Sequence, residues 1–118
     1  TAAGRYWQPR LLPLADATTD ETVAGRFAVA QLLPYHAEAW INPRAHVPSQ
    51  EFTFELVRRA VDRNALIVAL IGWPRWLVAV PSLRSANVIV GRNPRNPYCS
   101  PGNLGASGFT QVVDRLLR

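Results

Sequence analysis

Lysine and methionine are absent from this chain of 118 residues, and cysteine occurs once, as Cys99. One cysteine excludes an internal disulfide and a cysteine-based zinc site. It fits a reducing compartment, so a cytoplasmic location is expected. The first residues, TAAGRYWQPR, lack both an initiator Met and the apolar core of a signal peptide. The start therefore reads as processed, tagged or cut from a longer chain. The longest apolar run, Ala65 to Ile71, is far too short to span a bilayer, and no membrane partner is expected. Neither a G-x-G-x-x-G nor a Walker A sequence is present, and the histidines form no H-x-H or H-x-x-x-H pair. No nucleotide cofactor and no metal are expected. Ser82 and Ser85 lack a G-x-S-x-G elbow, and Cys99 has no evident base partner.

What is present is a basic, core-forming chain. All 13 basic residues are arginine, against 8 acidic ones, for a net charge of +5. That balance favours an anionic partner. Hydrophobic content of 48% with 18% charged residues can bury one core, and the length suits a single domain spanning 1–118.

Thr1 to Glu21 contains Pro9, Pro13 and the polar cluster DATTDET, and reads as an irregular N-terminal arm. RFAVAQLL, Arg26 to Leu33, reads as a buried strand closed by Pro34. PYHAEAWINPRAHVP, residues 34 to 48, is a long loop holding both histidines. Ser49 is a candidate N-cap, with Glu51 in the first turn. Phe52, Leu56, Val57, Ala60 and Val61 then follow helical spacing, opposite Arg58, Arg59, Asp62 and Arg63. Asn64 suits the helix end. ALIVALIG, Ala65 to Gly72, has the continuous apolar character of a parallel strand buried on both faces. Trp73-Pro74 opens a short helix that Pro81 stops. Asn87 to Val90 is a third strand, and Gly108 to Arg118 a last amphipathic helix. Three strands alternating with helices predict a parallel sheet with helices on both faces.

Ligands in such sheets bind beyond the carboxyl ends of the strands. Here that edge receives Pro34 to Arg44, Gly72 to Trp76 and Gly91 to Ser107. From Arg92 to Ser107 the chain holds three prolines, three asparagines, two arginines and two glycines. Arg92 and Arg95 can grip phosphate, and Asn93 and Asn96 can pair with a base edge. The plainer reading is that Asn-Pro, twice, shapes turns. Tyr35 and His36 follow the first strand, and the His36 imidazole can meet a base edge or phosphate, or simply bond the loop backbone. Glu38 is the acid nearest a strand end, which makes it and His36 the catalytic candidates. Trp40, Trp73 and Trp76 can stack on bases or fill core, Trp40 having the most polar surroundings. Arg58, Arg59 and Arg63 read as a solvated helix face. Ser100-Pro101-Gly102-Asn103 reads as a turn before the last helix.

The segments FELVRRAV, LIVALIGWPRW, NVIVGRNPRNPYCSPGN and GFTQVVDRLL, in this order, resemble the C-terminal part of the uracil-DNA glycosylase superfamily. The likeness covers Phe27 to Arg118. It implies a three-layer α/β/α, Rossmann-like fold with a short, mainly parallel sheet, and DNA or a nucleobase as partner. Three departures limit what is carried over. The family's loop histidine would fall near Asn93 or Asn96. Its base-reading asparagine would fall near Pro34, where Pro34-Tyr35-His36 stands. Its water-activating motif would lie upstream of Phe27, and Thr1 to Arg26 does not contain it. N-glycosidic hydrolysis is thus expected only if a missing N-terminal part supplies that motif. The alternative is a non-enzymatic interaction or assembly module, partnered by such an N-terminal half or by a second copy.

Overall fold

The computed structural model describes residues 2–30 and 48–118, with side chains from 5–30 and 51–118. Six α-helices and two strands occur in them: α1 (Ala2–Ala17), α2 (Asp20–Arg26), α3 (Pro48–Asp62), β1 (Ile67–Ala69), α4 (Trp73–Ala79), β2 (Val88–Val90), α5 (Pro101–Leu104) and α6 (Ala106–Leu116). A 3₁₀ turn, Pro81–Ser85, joins α4 to β2. The strands run parallel, in the register Ile67–Val88, Val68–Ile89 and Ala69–Val90. This is the β-α-β crossover expected for the second half of the chain, in a helix-rich α/β domain.

Side-chain alternation along the two strands feeds two hydrophobic clusters. Val68 and Ile89, with the flanking Leu66 and Leu70, pack with Leu14, Val23, Cys99, Leu104, Val112 and Leu116. Ile67 and Val88 pack with Phe54, Trp76, Val80 and Leu83. The first cluster joins α1, α2, α5 and α6; the second joins α3, α4 and the 3₁₀ turn. Trp76 is core, meeting Phe54 edge-to-face at 5.7 Å between ring centroids, and Trp73 packs against the same cluster. Those two rings are spent on packing rather than on a surface for stacking bases.

The N-terminal arm requires correction. Residues 2–17 are helical despite Pro9 and Pro13. Each proline removes a helical donor and crowds a carbonyl, at a cost of about 3 kcal/mol in a helix interior. Burial offsets that cost: Leu14 is fully buried, and Leu11 and Ala15 pack beside it on the α6 cluster. The polar cluster that read as loop is a helix junction. Thr18 donates through N and Oγ1 to the Leu14 carbonyl at 3.0 and 2.7 Å, closing α1. Thr19 then caps α2, its Oγ1 accepting from the Thr22 N–H at 3.0 Å.

The first strand also differs. Arg26 ends α2, and Phe27 to Ala30 carry no regular structure; 31–33 lie outside the described residues. The two-stranded sheet is therefore what the described residues establish. In α3 the helix begins at Pro48, so Ser49 lies within the first turn rather than capping it. Its buried stripe is Phe54, Val57 and Val61, whereas Phe52 and Leu56 are exposed. Two apolar stripes of helical period lie side by side here, and packing against Trp76 selects one. Asn64, at φ 59°, closes the helix in a left-handed turn, with Ala65 N–H bonded to the Ala60 carbonyl and Asn64 N–H to that of Val61. That pair of bonds is a Schellman motif, as the asparagine suggested. Arg58 and Arg59 share Glu55 at 3.3 and 3.4 Å on the exposed face. Such pairs contribute about 0–1 kcal/mol.

If α1 is integral, Leu14→Ala removes a fully buried side chain and lowers stability by about 2–5 kcal/mol. Denaturant unfolding measures this. A loss under about 0.5 kcal/mol would mean α1 does not dock on the core.

Candidate functional site

The site grows from the end of β2. The Gly91 N–H still bonds to the Ala69 carbonyl across the sheet, at 2.8 Å. Beyond it β1 has ended, and Asn103 takes over. Its backbone carbonyl accepts from the Arg92 N–H at 3.0 Å, and its side-chain Oδ1 from the Asn93 N–H at 2.7 Å. Its Nδ2 donates to the Tyr98 carbonyl at 2.9 Å. One buried asparagine thus holds both arms of the loop. Gly91 makes room for it: a Cβ there would lie 3.1 Å from Asn103 Nδ2 and 3.3 Å from Leu70.

Asn103 is itself fixed by α5. Ser100 caps that turn, its Oγ accepting from the Asn103 N–H at 3.3 Å, with Pro101 at the first helical position. The four residues read as a turn are therefore a capped helical turn. Ser-Pro followed by Asn at the third helical position is the signal that carries this. Gly105 links α5 to α6 at φ +80°, a conformation open to glycine. A Cβ there would meet Arg92 Nη2 at 3.1 Å, so Arg92 lies across it.

Prolines shape the rest. Asn93-Pro94-Arg95-Asn96 is a turn closed by the Asn96 N–H on the Asn93 carbonyl at 3.2 Å. The Asn93 Oδ1 accepts from the Arg95 N–H at 3.1 Å, an Asx turn. Tyr98 N–H reaches the Asn96 carbonyl at 2.8 Å around the fully buried Pro97. Turn-shaping and site-building coexist here: the backbone and one side-chain oxygen are used locally, and a cleft lies alongside.

That cleft has a volume of about 400 Å³ and is lined by Arg92, Asn93, Asn96, Tyr98, Ser100, Gly102 and Asn103. It opens at the carboxyl end of β2, where an α/β domain keeps its ligands. Of the residues expected there, Arg92, Asn93 and Asn96 line it. Arg95 does not: it is exposed on the turn and leaves the lining to Arg92. Tyr35, His36, Glu38 and Trp40 lie outside the described residues. Tyr98 is a lining residue the sequence reading did not name, and Ser100, Gly102 and Asn103 line the cleft from the stretch that read as a turn.

The loop is anchored from a distant part of the chain. The Cys99 N–H donates to the Arg10 carbonyl in α1 at 2.9 Å. The Arg10 guanidinium stands 3.8 Å from the Tyr6 ring centroid and 5.5 Å from that of Tyr98. Its Nη1 also donates to the Tyr6 carbonyl at 2.6 Å. Cation–π contact thus ties a cleft-lining ring to the N-terminal helix. Cys99 itself is fully buried, and desolvation pushes its thiol up to about 12, from an ordinary 9.0. A thiol so placed is no nucleophile at neutral pH. Among the described residues, no group of three or more His, Cys, Asp or Glu stands close enough to hold a metal.

Two outcomes test this construction. Asn103→Ala strands the Asn93 N–H and the Tyr98 carbonyl, and should cost about 2–4 kcal/mol in denaturant unfolding. A loss under about 0.5 kcal/mol would show that the amide is not what holds the loop. The Cys99 thiol should resist iodoacetamide in the native protein at pH 8 and react on unfolding. Because its folded pKa is raised, the stabilisation it contributes is complete below pH 9 and lost as pH climbs from 9.0 towards about 12. Native alkylation as fast as that of the unfolded chain would disprove the burial.

No protein-family model matches this chain, and no curated protein or solved structure matches it, so the chemistry of the cleft carries the functional reading.

Proposed function

We propose that this chain is a nucleic-acid-recognition domain of uracil-DNA glycosylase type, gripping DNA or a nucleobase at the carboxyl edge of its sheet. The proposal completes the two observed strands into the three-layer, Rossmann-like sheet that the sequence resemblance implies. One observation carries it: the cleft of about 400 Å³ beyond β2 brings Arg92, Asn93, Asn96 and Tyr98 to one opening. A guanidinium for phosphate, amides for a base edge and a ring for its face are the contacts a held nucleotide needs.

Recognition is supported further than hydrolysis. Water activation at a glycosidic carbon needs a general base within hydrogen-bond reach. Among the described residues, no carboxylate or histidine lines the cleft. Glycosidic cleavage therefore belongs to this reading only where another segment supplies the base. The second reading, a protein-interaction module, draws on apolar side chains left in solvent: Phe52 is 69% exposed on α3 and Val78 81% on α4. Concentration-dependent mass in solution would favour it.

Binding of a fluorescent uracil-containing oligonucleotide tests the first reading. Arg92→Ala should weaken binding about tenfold or more, and the Arg58→Ala/Arg59→Ala pair should not, because those guanidiniums sit on Glu55 across an exposed helix. The 118-residue chain alone should leave the uracil in place. Equal losses from the two variants, or no binding at low salt, would defeat the site assignment.

A further inference from the structure

The loop turns several of its acceptors on itself and leaves side-chain donors free. The backbone carbonyls of Asn93, Asn96, Ser100 and Asn103 already accept from Asn96, Tyr98, Leu104 and Arg92 N–H groups. The Tyr98 carbonyl accepts from Asn103 Nδ2, and the Asn103 Oδ1 from the Asn93 N–H. The Asn93 Oδ1 accepts from the Arg95 N–H, and Ser100 Oγ from the Asn103 N–H. What remains along the lining is mostly of the opposite kind. The Asn93 Nδ2 and the Ser100 hydroxyl proton are unspent. Arg92 carries only donors, and among the described residues it has neither an ion pair nor a side-chain hydrogen bond. The Asn96 amide is unspent too and, like the Tyr98 hydroxyl, offers both donor and acceptor. Among the described residues no Asp or Glu lines the cleft to neutralise Arg92.

We infer that the cleft is an oxyanion site: it takes the phosphate of a nucleotide, with Arg92 as the charge partner and Asn93, Asn96 and Ser100 as neutral donors. A lining that holds a free guanidinium with free amide and hydroxyl donors favours groups whose periphery is all acceptor. Phosphate is such a group, and a guanidinium can meet it with two parallel N–H bonds. The Arg92 side chain lies against the backbone of Gly105, where any larger residue would occupy its place. The volume exceeds what an inorganic anion fills, so part of an attached nucleoside enters too, beside Tyr98. This deepens the proposed nucleic-acid reading and rests on it for the nucleoside portion only. The phosphate can come from a free mononucleotide or from an oligonucleotide backbone.

Titration calorimetry with four probes separates these cases: inorganic phosphate, deoxyuridine, deoxyuridine 5′-monophosphate and an oligodeoxyuridylate. The monophosphate should bind at least tenfold more tightly than deoxyuridine, and inorganic phosphate should compete with it. Arg92→Ala should remove that difference and Arg92→Lys restore part of it, with unchanged thermal unfolding as the check on folding. Binding of the oligonucleotide should lose about one unit of its log–log salt slope in Arg92→Ala. A monophosphate that binds as well as the oligonucleotide assigns the site to mononucleotides. An oligonucleotide that binds far better, and that phosphate displaces, assigns it to backbone phosphate. If phosphate and monophosphate bind while the oligonucleotide does not, the oxyanion site stands and the DNA reading falls. If deoxyuridine matches the monophosphate, or Arg92→Ala changes nothing, the oxyanion inference is overturned whatever becomes of DNA binding.

Discussion

The side-chain amide of Asn103 is the contact on which the rest of the site depends. A two-stranded parallel sheet leaves the strand that enters its loop with unpaired N–H groups, and burying such groups without partners costs about 1–3 kcal/mol each. Asn103 answers two of them, one with its main-chain carbonyl and one with Oδ1, and spends its remaining donor on the far arm of the loop at Tyr98. The residue is 7% exposed, so water offers little competition for these bonds. An amide is the right group: a carboxylate lacks the donor, and an aliphatic chain lacks both ends. Gly91 follows from the same demand, because its missing Cβ is the space the amide occupies.

The second constraint is that the loop is pinned to the core. Pro97 and Cys99 are fully buried, while the turn from Asn93 to Asn96 between them and β2 is exposed. The bond from Cys99 N–H to Arg10, and the contact of Arg10 with Tyr98, make α1 part of the support. Proline at 94 and 97 further limits the conformations the loop must lose on binding. A ligand therefore meets a loop backbone largely held in place, which lowers the entropic cost of association. The two prolines inside α1 are tolerated because Leu14, one turn from Arg10, anchors the helix in the cluster beneath the loop.

Much of this was legible in the residues. Runs whose pattern admits one solution came through: a parallel strand within ALIVALIG, shorter than the run and with Ile71 exposed, Trp73-Pro74 as a helix start, Asn64 as a left-handed helix end, and the pairing of β1 with β2. Arg92, Asn93 and Asn96 line one cleft beyond β2, and Arg95 does not. The failures share a cause, in that distant packing chose between locally equal options. Proline argued against α1 until Leu14 found its pocket. Two stripes of α3 had helical period, and Trp76 picked the one containing Phe54. Asn103 was invisible as a keystone because its partners lie five and ten residues away on a path that only the folded loop defines.

The same bonding pattern bears on what the cleft can do chemically. Binding an anion requires donors fixed in direction; taking a proton from water requires a free basic lone pair. Arg92, Asn93 and Ser100 offer donors at the cleft, while the loop turns several of its oxygens inward to hold itself together. The buried thiol of Cys99 is removed from nucleophilic chemistry by its own desolvation, so its place in the cluster is that of a small apolar side chain. Stability and reactivity thus draw on the same atoms here. A loop that satisfies its carbonyls internally becomes rigid and electropositive, which suits recognition. It also turns inward acceptors that proton transfer could use, and none of the described residues that line the cleft is a carboxylate or a histidine.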